Sequence, residues 1–260
     1  MKCKFITLNL WRGGILLDSL IKFIRNEDPD IFSTQEAYDG RIKTLSENYR
    51  TIDILKKKLD YRYFSYSPAF LEKTKEGKIN VGNATFSKFP ITFAKTTFFH
   101  FNYRERDEGI ITDDYTNKNI KDFLDTPRNF LQVDIKLNNK IFHIINLHGI
   151  WGLDGKDNPN RLKMSQRVIK TIKNKKNVIL AGDFNMDPDT KAITNIEKYL
   201  INVFKGELMT TFNMERKTKP GYATAVVDMV FVSKNIKIIN HYCPRVDVSD
   251  HLPLVCVLEI

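Results

Sequence analysis

The chain has 260 residues, of which 42% are hydrophobic, 12% aromatic and 28% charged. This composition excludes collagen-like, low-complexity and largely disordered chains, and we expect a single domain over residues 1–260. The net charge of +10 favours a polyanionic partner such as nucleic acid, although a solvated lysine-rich surface gives the same value.

The first half of the chain predicts alternating strands and helices. Residues 2–9 have the pattern of a short strand that ends at Asn9, and residues 15–26 carry apolar side chains at helical spacing. Residues 30–35 have the length of a strand that ends at Glu36. The next predicted elements are a helix at 41–59 and strands at 61–67 and 81–87.

A long polar segment follows, and it precedes the elements of the second half. Residues 100–127 mix charges without periodicity and predict a surface loop of a length that is often functional. Residues 128–136 and 140–148 predict a hairpin, and Asn158 followed by proline predicts a helix to about residue 174. The remaining predicted elements are a strand at 177–182, a helix from Asp187 or Asp189 to about Leu200, and strands at 225–233, 236–242 and 251–259.

The cysteines and the apolar segments indicate the cellular compartment in which the protein is expected. Cys3, Cys243 and Cys256 lack metal-binding spacing and lie in apolar segments, which indicates reduced, buried thiols. The first residues lack the apolar core and cleavage site of a secretory signal, and no apolar run approaches the roughly 18 residues of a membrane span. We expect a cytoplasmic monomer without stable membrane association.

Polar residues interrupt apolar strands or lie at their ends. These residues are Asn9, Glu36, His148, Asp183, Asn185, Asp228, Asp250 and His251. Because the start of one antiparallel strand lies beside the end of its neighbour, all of them can share one edge of a sheet and face one cleft. Four carboxylates in one cleft repel one another unless a cation lies among them, and oxygen ligands favour Mg²⁺ or Mn²⁺. Zinc is disfavoured, since no Cys or His pair has its spacing.

Several of the polar side chains allow two interpretations. Asp228 lies among valines and needs a partner, for which His251 is the natural candidate and backbone amides are the alternative. Arg128 opens a strand after the polar segment, where it could bind a phosphate oxygen or simply be a surface arginine. Trp11 and Arg12 follow Asn9 directly and could line the same cleft.

The polar residues also carry a family resemblance. Five blocks occur in order: Asn9 in LNLW, Gln35-Glu36, the GDFN segment at 182–185, Asp228 in DMVF, and Ser249-Asp250-His251 followed by Pro253. This ordered set, which covers nearly the whole chain, resembles the endonuclease/exonuclease/phosphatase superfamily. The resemblance implies an α/β (α+β) four-layer sandwich, in which two packed mixed β-sheets are flanked by helices.

The resemblance further implies hydrolysis of a phosphate ester that depends on Mg²⁺ or Mn²⁺. By the family pattern Glu36 is the main metal ligand. Asn9 and Asp250 would lie close to the metal, either directly or through water.

The remaining blocks would supply the catalytic groups. Asp183 would orient or deprotonate the attacking water, and Asn185 would hold that water or a phosphate oxygen. His251, supported by Asp228, would stabilise charge on the phosphoryl group. These roles are what the resemblance implies.

The segment around His148 favours one branch of the superfamily. Residues 146–149 read NLHG, which is similar to pancreatic-type deoxyribonucleases, sphingomyelinases and tyrosyl-DNA phosphodiesterases, where a histidine acts on the leaving group. Abasic-site endonucleases have a tyrosine in this segment and an acid two residues after the first Asn, where this chain has Trp11. Which of His148 and His251 is the general acid stays open.

Two functions are compatible with these features. The first is a metal-dependent nuclease or DNA-end-processing phosphodiesterase with nucleic acid as substrate. The second is an enzyme that acts on a smaller phosphate ester, such as a sphingomyelin-like headgroup, an inositol phosphate or a nucleotide. The polar residues 102–122 weaken the lipid alternative, because lipid-acting relatives use exposed apolar loops. A binding protein without activity is disfavoured, since every expected catalytic position is filled.

Overall fold

Two β-sheets pack face to face in the computed structural model, which describes residues 1–107, 124–137, 140–152, 154–217 and 225–260. The seven-stranded sheet contains, in spatial order, β12 (Lys237–Tyr242), β13 (Leu254–Glu259), β1 (Lys2–Asn9), β2 (Ile31–Asp39), β4 (Gly77–Ser87), β3 (Tyr63–Thr74) and β6 (Glu105–Asp107). The six-stranded sheet contains β10 (Leu200–Asn202), β11 (Asp228–Ser233), β9 (Val178–Asp183), β8 (Lys140–His148), β7 (Arg128–Leu137) and β5 (Ile91–His100). Both sheets are mixed, since β1 pairs parallel with β2 and β8 pairs parallel with β9.

Helices cover the outer face of each sheet. The helical elements are α1 (Trp11–Gly14, a single turn), α2 (Leu17–Glu27), α3 (Thr51–Lys58), α4 (Pro159–Ile172) and α5 (Lys191–Glu197). Apolar residues of α2 and α3 pack on the seven-stranded sheet, and those of α4 and α5 pack on the six-stranded sheet. The Asn158 side chain caps α4 by accepting a hydrogen bond from the Arg161 amide at 2.9 Å, as its sequence predicts. The four-layer α/β sandwich expected from the sequence is therefore confirmed.

The space between the sheets is apolar at one end and polar at the other. Phe5, Leu131 and Val230 belong to the apolar cluster that fills most of it. At the polar end the inward-facing side chains include the amides of Gln35 on β2 and Asn146 on β8. The Gln35 amide donates to Asn146 Oδ1 at 2.6 Å, and the Asn146 amide donates to two backbone carbonyls of the opposite sheet. This layer of buried amides lies next to the polar residues at the strand ends.

Several predicted boundaries are wrong for local reasons. The helix expected at 41–59 begins only with a 3₁₀ turn at Glu47–Arg50, because the Ser46 amide and hydroxyl bind Glu76 instead of continuing a helix. β2 does not end at Glu36 but continues to Asp39 after a bulge. The last strand starts at Leu254 rather than at residue 251, since Pro253 has no amide hydrogen to donate.

Three strands were not predicted. β5 is an edge strand that pairs with β7; half of its side chains are exposed, and its apolar residues do not alternate regularly with polar ones. β10 replaces the end of the helix that was expected to reach Leu200. Within the predicted loop at 100–127 the structure contains β6, whereas residues 108–123 lie outside the described residues.

Candidate active site

Glu36 lies on a strained bulge beside the end of β1. Its φ of 55° is left-handed, as are the φ values of Trp11 and Arg12 at 56° and 51°. The Arg12 amide donates to Glu36 Oε2 at 2.8 Å, and the Asn9 side-chain amide lies 3.3 Å from Glu36 Oε1. Left-handed backbone at three non-glycine residues costs free energy, which the surrounding structure must offset, and such strain concentrates at functional sites. The bulge turns the Glu36 carboxylate towards the cleft, where it is only partly buried.

Asp183 and Asp228 face each other across the antiparallel pair β9–β11. Burial, reinforced by the negative charge of Asp228, raises the pKa of Asp183 to about 6. Hydrogen bonds from the Asn9 side chain at 3.0 Å and from the Asn185 amide at 2.8 Å oppose this rise by stabilising the ionised form. Asp183 is therefore a carboxylate that exchanges a proton near neutral pH.

His251 is held by a carboxylate on either side. Its Nδ1 lies 2.8 Å from Asp228 Oδ2 and its Nε2 lies 4.0 Å from Asp250 Oδ1. Burial alone would lower the pKa of His251, but the charges of Asp228 and Asp250 and the hydrogen bond to Asp228 raise it to about 9. The ring is thus an imidazolium at neutral pH, and the Phe212 ring packs edge-on against it. The contact at 2.8 Å between His251 and Asp228 agrees with the interpretation, made from the sequence, that the two residues are partners.

His148 lies on the other side of Asp183 and has the opposite ionisation. Its Nε2 is 3.6 Å from Asp183 Oδ2, and the Arg128 guanidinium lies 3.2 Å from its Nδ1. Burial and then the positive charge of Arg128 hold the pKa of His148 well below its usual range. Because Nδ1 of a neutral ring must accept from Arg128, the remaining proton is on Nε2, which faces Asp183.

Arg128 is a buried cation whose partner is an imidazole. Burial lowers the pKa of Arg128 to about 10, although nearby Glu36 and Asp183 favour its charged form. Among the described residues its Nε has no hydrogen-bond partner. A buried guanidinium with an unused donor fits an anion that enters the cleft.

The buried side chain of Arg161 holds the turn that carries Asn185 in place. Asn185 has a left-handed φ of 54°, and its carbonyl accepts from Arg161 Nη2 at 2.7 Å. Arg161 is fully buried and also donates to the carbonyls of Ile150 and Lys156. Gly182 precedes this turn with φ 138°, and a Cβ there would lie 2.0 Å from the Leu147 carbonyl oxygen, so only glycine fits.

Asp250 lies beside His251 and forms an ion pair with a lysine. Its Oδ2 lies 3.0 Å from Lys217 Nζ. The neighbouring Ser249 hydroxyl donates to the Asn9 carbonyl at 2.7 Å, which ties the segment before β13 to the end of β1. The structure thereby connects all nine predicted site residues through direct contacts or adjacent residues.

Two groups of side chains are candidates for holding a cation. In the described residues, Asp183, Asp228 and His251 offer ligand atoms within 4.8 Å of one another. His251 is a poor ligand, however, because an imidazolium has no lone pair to offer. The second group consists of Glu36, Asn9 and Asp250, whose oxygen atoms match the preference of Mg²⁺ and Mn²⁺.

Sequence reasoning missed several residues that shape the site. Lys217, Phe212 and Arg161 lie in segments without an apolar-to-polar signal, since a polar residue in a loop or on a helix is unremarkable in sequence. Asn146 carried a usable signal: it replaces the apolar residue expected at an inward position two residues before His148.

Comparison with known structures and sequences places this geometry in context. The structure is similar to an endonuclease/exonuclease/phosphatase from Bacteroides vulgatus, with a TM-score of 0.71 and 17% identity over 100% of this chain and 99% of that chain. D. rerio TDP2 in complex with a single-strand DNA product has a TM-score of 0.68 and 16% identity, over 100% of this chain and 99% of that chain. The Bacteroides thetaiotaomicron mannosyl-6-phosphatase has a TM-score of 0.67 and 17% identity, over 99% of this chain and 100% of that chain. At these identities the similarity establishes the fold.

A sequence search among curated proteins gives no match. None of the helices in the described ranges combines the length and apolar character needed to cross a membrane. The model of the Endonuclease/Exonuclease/phosphatase family matches residues 6–251, and the chain therefore belongs to that family.

Proposed function

We propose that this protein is a divalent-metal-dependent phosphodiesterase, acting as a nuclease or DNA-end-processing enzyme. The observation that carries the proposal is the continuous set of contacts from Arg128 through His148, Asp183 and Asn9 to Glu36. These contacts bring three groups into one cleft: Arg128, which can bind an anion, Asp183, which can accept a proton, and Glu36, whose oxygens suit a hard cation. These are the components that hydrolysis of a phosphate ester requires.

Glu36, Asn9 and Asp250 would hold Mg²⁺ or Mn²⁺. The carboxylates of Glu36 and Asp250 fit such an ion because Mg²⁺ and Mn²⁺ prefer oxygen ligands, and because the strained bulge presents Glu36 to the cleft. The Asn9 side chain donates through Nδ2 to Glu36 and Asp183, and its Oδ1 accepts from the Trp11 amide at 3.1 Å, so it would contact the ion through that oxygen or through water. When bound, the ion supplies Lewis-acid stabilisation of charge on the phosphoryl group.

Asp183 would take a proton from the attacking water. Its pKa of about 6 leaves it ionised at neutral pH yet basic enough to accept a proton. Asn9 and the Asn185 amide fix the carboxylate by donating to its two oxygens. The Asn185 side chain, buried beside it, would hold the water or a phosphate oxygen.

The two histidines would have different roles. His251 carries the proton at neutral pH, so we assign to it the stabilisation of phosphoryl charge and the supply of a proton to the leaving oxygen. Asp228 keeps that ring charged and oriented. His148 is neutral and would act as a fixed hydrogen-bond donor on the leaving-group side, while Arg128 would bind a phosphate oxygen.

A substrate panel tests the activity. The panel contains single- and double-stranded DNA, RNA, a 5′-tyrosyl oligonucleotide, sphingomyelin, an inositol polyphosphate and a sugar phosphate, each with Mn²⁺ and with EDTA. We expect oligonucleotide cleavage with Mn²⁺ and none with EDTA. Intact oligonucleotides after long incubation with Mn²⁺ would refute the nuclease assignment.

Glu36→Gln tests the metal site separately from the chemistry. Since a ligand that binds only the folded state stabilises it, Mn²⁺ should raise the melting temperature of the wild type. We expect this increase to be lost in Glu36→Gln, while the variant keeps its metal-free melting temperature. Glu47→Gln, at an exposed position of the neighbouring 3₁₀ turn, is the control and should respond to Mn²⁺ like the wild type.

A smaller phosphate ester is the second candidate substrate. It is supported by the similarity in fold to a mannosyl-6-phosphatase, because one fold can serve enzymes with different substrates. Turnover of the sugar phosphate or the inositol polyphosphate in the panel, with oligonucleotides left intact, would favour this alternative.

A further inference from the structure

Two exposed aromatic side chains lie on the segment that connects the two sheets. Residues 101–104 link β5 of the six-stranded sheet to β6 of the seven-stranded sheet. On this segment Phe101 is 45% exposed and Tyr103 is 44% exposed. Two large rings on four consecutive residues give an exposed apolar surface, and such surfaces mark binding sites for partners or ligands.

The segment begins directly beside the proposed active site. His100, the last residue of β5, is paired across the sheet with Arg128, the first residue of β7. Burial lowers the pKa of His100, and the positive charges of Arg128 and Arg104 lower it further, so both guanidiniums act on this ring. β7 in turn runs antiparallel to β8, which ends at His148. The aromatic segment therefore lies at the same edge of the sheet as Arg128 and His148.

Contacts with the protein hold the segment in place while both rings stay accessible. The Arg104 guanidinium lies 4.5 Å from the centre of the Phe101 ring, and its Nη2 donates to the Asp125 carbonyl. The Tyr103 hydroxyl donates to Asn80 Oδ1 at 2.6 Å. Rings that are already positioned lose less conformational entropy when a ligand packs on them than freely rotating side chains do.

The combination of open rings and adjacent positive charge fits single-stranded nucleic acid. Every nucleobase has a flat face that stacks on an exposed aromatic ring, and arginines beside the rings attract the phosphates of the strand. In a duplex the bases stack on one another, so a strand without a partner is the form that offers a free base.

We propose that Phe101 and Tyr103 form a stacking platform for a nucleobase of single-stranded nucleic acid on the Arg128 side of the cleft. The proposal rests on the nuclease function proposed above and deepens it by naming an unpaired strand as the substrate class. Arg104 supports the platform through its contact with Phe101 and through its charge. A base stacked there orients the adjoining phosphate towards Arg128.

Binding of labelled oligonucleotides in EDTA tests the platform in the absence of cleavage. The probes are a thymidine oligonucleotide of about 10 nucleotides and the same sugar–phosphate chain without bases, and fluorescence anisotropy gives the Kd of each. Phe101→Leu keeps an apolar side chain but removes the aromatic face. It should weaken binding of the thymidine probe roughly tenfold and leave binding of the abasic probe unchanged, whereas Phe101→Trp should keep both affinities.

Phe64→Leu is the matched control. Phe64 is 38% exposed and also has a cation beside its ring, Lys56 Nζ at 4.2 Å. It lies at the start of β3, whereas β6 pairs with the other end of that strand, from Leu71 to Lys73. Phe64→Leu should therefore bind both probes like the wild type.

The outcomes separate the platform from the proposed function. Equal affinity of the wild type for the two probes, binding of neither, or equal losses for both probes in Phe101→Leu would overturn the platform, and the substrate panel would still decide the activity. Base-dependent binding that is lost in Phe101→Leu, together with intact oligonucleotides in the panel, would support the platform and refute the nuclease function. Near-ultraviolet circular dichroism verifies that each variant is folded.

Discussion

The pKa values of two neighbouring side chains in this site are both raised, but for different reasons. Burial raises the pKa of the Asp183 carboxyl to about 6, whereas the carboxylates around His251 overcome the effect of burial and raise the pKa of that ring to about 9. Between these two values Asp183 is a base and His251 an acid. Perturbed pKa values that leave a base and an acid side by side near neutral pH are typical of sites of acid–base catalysis.

Asp183→Asn should lower the activity without lowering the stability of the protein. The substitution removes the proposed base, so kcat should fall by roughly 10² to 10⁴. A raised pKa in the folded state means that the ionised carboxylate opposes folding above pH 6, and the melting temperature at pH 8 should therefore not fall. Asp189→Asn, at an exposed position nearby, is the control and should keep both values. Wild-type turnover in Asp183→Asn would exclude Asp183 as the base.

The pH profile of activity should respond to Asp228→Asn. In the wild type, kcat/KM should rise as Asp183 ionises near pH 6 and fall as His251 loses its proton near pH 9. Without the charge of Asp228, burial lowers the pKa of His251, and the alkaline limb should move down by about one pH unit or more. The profile measured at saturating Mn²⁺ tests this, with Asp53→Asn on α3 as the control. An unmoved alkaline limb would show that another group controls it.

At the level of elements, each strand brings one or two groups to the same edge. β1 and β2 bring Asn9 and Glu36, β8 brings His148, and β9 and β11 bring Asp183 and Asp228. Part of this was readable in the sequence, because the strands that carry Asn9, His148 and Asp183 end in these polar residues and Asp228 lies at the start of an apolar strand. The shared polar edge followed from that pattern, whereas the four-layer sandwich followed from the family resemblance.

Local backbone geometry could not be read in the same way. The bulge at Glu36 depends on a left-handed φ that is stabilised by the Arg12 amide, a contact between segments that are distant in sequence. The helix expected at 41–59 is shortened by Glu76, which lies in another hairpin. Such tertiary contacts override local propensity, and a single sequence does not reveal them.

Arg161 of α4 should stabilise the Asn185 turn more than the helix itself. In Arg161→Met the buried carbonyls of Ile150 and Asn185 and the partly buried carbonyl of Lys156 lose their donor. Since each unsatisfied buried group costs about 1–3 kcal/mol, we expect the free energy of unfolding to drop by about 3–5 kcal/mol. Arg167→Met on the exposed face of the same helix should change it by about 0.5 kcal/mol or less. Urea denaturation measures both, and equal small losses would contradict the anchoring role.

At the scale of the whole molecule, the sandwich has an apolar interior, a layer of buried amides and, at one edge of the sheets, a group of charged side chains. Glu36, Asp183 and Asp228 are acidic groups of the cleft, yet the chain as a whole carries a net charge of +10. The excess of positive charge therefore lies outside the catalytic residues. A polymer that extends beyond the cleft can use this charge, whereas a small phosphate ester confined to the cleft cannot.

The salt dependence of KM should therefore distinguish the two classes of substrate. A polyanion bound by several lysines and arginines releases counterions, so KM for an oligonucleotide of about 20 nucleotides should rise steeply between 50 and 200 mM KCl, by roughly tenfold or more. KM for bis(p-nitrophenyl) phosphate, a small diester, should change by about twofold or less over the same range, because screening affects only contacts at the cleft. Measuring both substrates at fixed Mn²⁺ controls for effects of salt on the metal. Equal, shallow salt dependence for the two would mean that the positive surface does not take part in binding, and would favour a small phosphate ester as the natural substrate.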